Sequence, residues 1–126
     1  MKKYLLFVLT FLITQATISQ TESSFQVGEW FRFRMSYSNW LKAGNATLTV
    51  NDSIYKGRSV YHVVGKGWTT GMIGWFFKVD DTYESYFDKN SILPYKFIRK
   101  IDEGGHTKDI EIHFNQEENT ALVHNL

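Results

Sequence analysis

The side chains with chemistry to offer are four histidines, His62, His106, His113 and His124, and an acidic set that includes Asp80, Asp81, Glu84, Asp109 and Glu111. A metal ion needs three or four ligands that converge. His106 and His113 are seven positions apart and face opposite sides of a continuous strand. Asp109, Glu111 and His113 share a face, but alternate residues of a strand lie about 6.5–7 Å apart. One ion with bonds near 2 Å cannot hold all three without bending the strand, so these residues read as a solvated polar face and no metal is expected. Nucleophilic catalysis fares no better: the chain has no cysteine and no G-x-S-x-G, and its serines fall in turns or at strand ends. Adjacent Asp80 and Asp81 point apart on a strand and do not make a glycosidase pair. The glycines of KGWTTGMIGW match neither phosphate-binding pattern and read as a loop packed against rings. No cofactor and no catalytic residue is assigned.

The elements that must position these residues are short apolar/polar alternations between turn signals, with a single proline in the chain. That pattern predicts an all-β, curved antiparallel meander, an open or partial barrel. In GEWFRFRMSY, Phe31, Phe33, Met35 and Tyr37 point one way and Trp30, Arg32, Arg34 and Ser36 the other. SNWLKAGN reads as a connection, Ala46 to Asn51 as a second strand, NDSIYKGR as a turn, and SVYHVVGKGW as a central third strand, apolar on both faces. The fourth is placed over Trp75 to Phe87, with Trp75, Phe77, Val79, Tyr83 and Phe87 on one face and a short helical turn allowed over Gly71 to Trp75. PYKFIRKID, with Tyr95, Phe97 and Ile101 on one side, joins TKDIEIHFN through Gly104 and Gly105. TALVHNL begins a seventh strand. The expected core is Phe31, Phe33, Leu48, Val50, Phe77, Val79, Phe97, Ile110, Ile112 and Phe114.

Asp81 breaks this pattern by falling on the apolar face, where an unpaired carboxylate is expensive. A bulge at Asp80–Asp81, a basic partner such as Arg32, Arg34, Arg99 or Lys100, or a wet cavity would each account for it. The candidate ligand-binding residues are Met72, Ile73, Trp75, Phe77 and Asp81, with the Gly71–Gly74 segment as a flap; the bland reading has Met72, Ile73 and Trp75 plugging a barrel end.

Residues 1–19 read as a signal peptide: Lys2 and Lys3, an apolar run from Tyr4 to Ile13, then Thr17 and Ser19 before the cut. No cysteine follows, which excludes a lipoprotein. Residues 20–126 then form one all-β domain. Cleavage removes two of 14 basic and none of 13 acidic residues, leaving a net charge of about −1 and no electrostatic footprint for nucleic acid. With no disulfide available, stability rests on packing, for which an aromatic content of 17% is a large apolar reserve.

The ordered set Gly28-Glu29, Ala43-Gly44, Val79-Asp80-Asp81, Tyr83-Glu84-Ser85-Tyr86, Asp88, Leu93-Pro94 and Glu103-Gly104 resembles a bacterial exported family known as domain of unknown function 3108, over residues 25 to about 125. The resemblance implies a Gram-negative envelope protein, periplasmic or outer-membrane associated, with a curved antiparallel sheet like that of open lipoprotein-carrier barrels. It carries no catalytic residues over. Members of that family are longer, so the fold is also read as an N-terminal portion whose last strand leaves an open edge. The function expected is non-catalytic binding of an apolar or amphiphilic ligand, such as a lipid, or of an envelope partner. The alternatives are a carbohydrate-binding module using Trp40, Trp68 and Trp75, and a hydrolase of envelope glycan or lipid using Asp80 or Asp81, Glu84 and a histidine.

Overall fold

The computed structural model describes residues 24–38 and 40–126, so the signal-peptide assignment lies outside the described residues. Seven strands form one antiparallel sheet in chain order: β1 (Trp30–Tyr37), β2 (Leu41–Tyr55), β3 (Arg58–Thr69), β4 (Asp80–Asp88), β5 (Pro94–Glu103), β6 (His106–Asn115) and β7 (Thr120–Asn125). This is the all-β meander expected from the alternation, and it is open: β1 and β7 do not pair.

Hairpin chemistry sets the register. Lys56 and Gly57 both adopt positive φ, the mirror-image turn that suits the twist of two strands. The turn is therefore these two residues, and the strand continues through Asn51 to Tyr55, which the sequence placed in a wide turn. Likewise β2 begins at Leu41, so most of the expected connection SNWLKAGN is strand. Gly104 and Gly105, also at positive φ, make the β5–β6 turn as expected. Asp88 Oδ1 accepts the backbone N–H groups of Asn90 and Ser91 to shape the β4–β5 connection, and Asn115 Oδ1 does the same for Glu117 and Glu118 before β7.

The largest departure from the sequence reading lies between β3 and β4. Gly71–Phe76 is a helix, α1, and the strand starts only at Asp80. Phe77 donates its N–H to the Ile73 carbonyl at 2.8 Å, so Trp75 and Phe76 have no ladder to join. These rings occupy the crossover between two antiparallel strands, and periodicity alone does not mark where a ladder begins. Val79 donates to Thr69 Oγ1 at 2.9 Å and bridges to Glu103, which starts the ladder that β4 continues.

Paired residues share a face, so the register sorts the side chains. One transverse row runs Phe31, Leu48, Gly65, Tyr83, Arg99, Ile110, and a second runs Val50, Val63, Ser85, Phe97, Ile112, Val123. Most of the expected core residues thus lie on one apolar face. Their burial differs from expectation. Val50, Tyr61 and Phe87 form the buried cluster, with Phe25 packed over it from the N-terminal segment; the Phe25 and Phe87 rings meet edge to face at 5.6 Å. Phe31, Phe33 and Phe77 are exposed, as is Met35. The segment around Phe25 covers one end of the apolar face, and nothing among the described residues covers the other.

Candidate functional site

The open end of the apolar face has the shape of a trough. Its floor is β3, where Gly65 and Gly67 put no side chain on that face; a Cβ at Gly67 would meet nothing within 4 Å, whereas one at Gly65 would meet Leu48 Cδ1 at 3.6 Å. Ala46 on β2, opposite Gly67, continues the floor. Phe31, Phe33 and Met35 of β1 stand on one side, and Tyr83 of β4 on the other. The two glycines lie within the expected third strand, and of the four glycines read as a packed loop only Gly71 and Gly74 fall outside it, in α1.

Two polar groups interrupt this apolar surface. Asp81 is 7% exposed and lies opposite Gly67 in unbroken register, so no bulge turns it to water. Its Oδ1 accepts the Asp102 N–H at 3.2 Å and its Oδ2 accepts the Tyr83 hydroxyl at 3.5 Å. No arginine or lysine pairs with it among the described residues. The carboxylate extends the β4–β5 contact past Thr82–Lys100, where the ladder stops. Burial, and after it the charge of Asp81, raises the Tyr83 phenol above its ordinary value of 10.0. Arg99 sits in the row of Tyr83 and Ile110, and its buried Nε has no hydrogen-bond partner among the described residues.

The other proposed site residues gather at the same end of the sheet without forming an enclosed pocket. Helix α1 follows β3 directly and lies against β2. Met72 is exposed, Ile73 half-buried, and Trp75 90% exposed, so the indole does not plug a barrel end. Phe77 packs its ring against Gly104, where a Cβ would stand 2.6 Å from the ring. Phe77 and Asp81 therefore both touch the β5–β6 hairpin, while Trp75 projects away into solvent.

The opposite face holds a polar network that the sequence reading dissolved into a solvated surface. His62 Nε2 meets Glu84 Oε2 at 2.8 Å, and the Tyr86 hydroxyl donates to the same oxygen at 3.3 Å. His113 Nε2 meets Glu111 Oε1 at 2.6 Å, and Lys96 bonds its other oxygen at 2.8 Å. The Lys96 ammonium, more than the histidine, holds the Glu111 carboxyl below the usual carboxylate range. Tyr55 OH lies 2.8 Å from His113 Nδ1. Glu84, the acid named with a histidine for hydrolysis, meets His62 through Nε2, and that imidazole stacks on Tyr86 at 4.1 Å, whereas both ring nitrogens of His113 are engaged, one by Glu111 and one by Tyr55. Proton transfer to a substrate needs an open nitrogen within reach; this arrangement instead orients Tyr55. The signal for the pairing was cross-strand: Glu111 and Lys96 adjoin only in the β5–β6 register, with Lys96 opposite His113. No group of three or more histidine and acidic residues could hold a metal ion among the described residues.

Tyr95 joins this polar face against expectation. The register shifts beside Tyr86 and Phe87, so Phe87 pairs with Pro94 while Tyr86 pairs with Lys96. The extra residue is a β-bulge, and it turns Tyr95 away from the side of Phe97. Its ring stacks beside Tyr55 at 6.2 Å and 16°.

Among the described residues, an open seven-stranded antiparallel meander with one short crossover helix defines an all-β sheet protein whose apolar face is only partly covered. The sequence model of the family described as "Protein of unknown function (DUF3108)" matches residues 32–126, and the chain belongs to that family. No curated protein and no solved structure matches it. The match spans β1 from its third residue to the end of β7 and includes the trough and the polar network.

Proposed function

We propose that this chain is an exported, non-catalytic envelope protein that takes the acyl part of an anionic amphiphile in the trough of its apolar sheet face. The observation that carries the reading is the glycine-floored trough between exposed Phe31 and Phe33 on one side and Tyr83 on the other. Apolar area left in water at this density is a binding surface or a liability. The bare stretch of β3 at Gly67 suits a chain of methylenes, each worth about 0.8 kcal/mol when buried. Arg99, in the same row with a buried Nε that has no partner among the described residues, supplies the complementary charge for a carboxylate or phosphate head. Met35 beside the trough and Met72 at its α1 end add side chains that adapt to irregular chains. Phe77, packed on Gly104 at that end, borders the trough, while Trp75 points away from it.

The test is displacement of a naturally fluorescent polyene fatty acid by palmitate and by lysophosphatidylglycerol. Gly67→Leu fills the trough at a position with open space and ordinary backbone, and should abolish binding while the protein still unfolds cooperatively. Arg99→Met should weaken palmitate and leave a neutral long-chain alcohol unchanged. Absence of saturable binding in wild type, or binding undiminished in Gly67→Leu, refutes the reading.

A further inference from the structure

A cleft of about 540 Å³ lies at the other end of the sheet, on the polar face, between the β2–β3 hairpin and the β6–β7 turn. We propose that this cleft is a second binding site, for a neutral saccharide, with Tyr55 and Tyr95 as its stacking platform. The proposal does not rest on the amphiphile reading, since it uses the opposite face and the opposite end of the sheet.

Four observations support it. The volume falls within the range of about 300–1,000 Å³ usual for small-molecule sites. Tyr55 and Tyr95 are half-buried, both line the cleft, and stack offset on each other with planes within 16°, which gives the cleft an aromatic wall. Such a surface complements the C–H face of a pyranose ring, and no charge is required for that contact.

The rings are also fixed before any ligand arrives. Tyr55 is held through His113, which Glu111 holds in turn, and Glu111 is held by Lys96. The Tyr95 hydroxyl donates to Asp88 Oδ2 at 3.3 Å and accepts from Arg58 Nη1 at 3.2 Å. Lys56 Nζ lies over the Tyr55 ring and the Arg58 guanidinium over the Tyr95 ring, each 5.4 Å from the centroid, so the aromatic wall is fixed with its two cations and immobilisation costs little on binding.

The exposed rim decides the ligand's charge. Lys56 and Arg58 come from the β2–β3 hairpin, and Glu117 and Glu118 from the β6–β7 turn. Two positive charges face two negative ones, so the cleft has no net field to select an anion or a cation. It does present donors on one wall and acceptors on the other, and a sugar hydroxyl is both donor and acceptor. An acyl chain would leave these charged groups without partners, so the cleft suits a polyhydroxylated ligand better than a lipid tail.

Titration of the isotope-labelled native protein with maltohexaose, cellohexaose and chitohexaose, followed by amide chemical shifts, tests the proposal. At least one should give saturable shifts centred on Tyr55, Tyr95 and residues 115–118. Tyr95→Phe, which keeps the ring, should retain binding. Tyr95→Ala and Tyr55→Ala should each weaken it about tenfold or more, the loss expected of a central aromatic contact. Gly67→Leu, in the trough, should leave it unchanged. Three outcomes overturn the proposal: no saturable shifts in wild type with any of the three, shifts centred on Trp40 or Trp75 instead, or affinity that survives both alanine substitutions. Saturable shifts at the cleft with hexagalacturonate but none of the neutral oligomers overturn it too, because the site would then select charge.

Discussion

Replacing Val50 with alanine should destabilise this protein more than replacing the much larger Phe33. Val50 is 2% exposed and packs with Tyr61 and Phe87, whereas Phe33 is 54% exposed on the same face. Val50→Ala deletes two buried methyl groups, worth about 1.6 kcal/mol in transfer at 0.8 per carbon. The cavity left between two aromatic neighbours raises the cost to about 2–3 kcal/mol. Complete burial of a phenylalanine is worth about 1.5–3 kcal/mol, and Phe33 realises about half of that, so Phe33→Ala should cost about 1 kcal/mol. Urea unfolding followed by tryptophan fluorescence measures both, and an unchanged slope licenses the comparison. A Phe33→Ala cost of about 3 kcal/mol or more would refute the reasoning. It would mean that the β1 end of the face is covered in solution, and the trough would then be an internal contact instead of a binding surface.

Gly44→Ala should cost about 1–3 kcal/mol by overpacking, because its Cβ would stand 2.5 Å from the Trp68 carbonyl oxygen, a backbone atom with little room to move; thermal unfolding reads the loss. Ile92 is a β-branched residue at φ 59°, so Ile92→Gly should stabilise by about 1 kcal/mol, the cost of a left-handed conformation, as a rise in urea midpoint. Glu111 has a folded-state pKa below its unfolded value, so its contribution is present above the unfolded value of 4.5 and lost as pH falls through the lower folded one. Glu111→Gln should therefore lose less stability between pH 7 and pH 3 than wild type does. Tyr83 and Tyr86 are both raised, chiefly by burial. Their contribution is present below pH 10.0 and lost as pH rises through the folded values, and ultraviolet titration should show two late phenols, one of them missing in Tyr83→Phe.

The amino-acid sequence alone determined the class of fold, the number and order of the strands, and which residues share a face wherever the alternation runs unbroken within a strand. Strict alternation in Trp30–Tyr37 and His106–Asn115 leaves only two faces to choose between, and the glycines at 104 and 105 specify a tight hairpin locally. The oddity of Asp81 was legible too, because a carboxylate among Val79, Tyr83 and Phe87 needs no partner strand to be noticed. What tertiary structure decided was everything that depends on which residue lies across the ladder. Glu111 meets Lys96, His62 meets Glu84, and Tyr55 meets His113 from 58 positions away, through register that alternation does not encode. One extra residue at Tyr95 moved that ring to the opposite face. The run Trp75–Phe77 kept its strand-like composition but lost its strand, because α1 spans the crossover where no neighbour offers hydrogen bonds. Burial was likewise out of reach of the pattern: Phe33 and Val50 carry the same period-two signature, and only the path of the Phe25 segment over one end of the sheet makes one of them core and leaves the other in water.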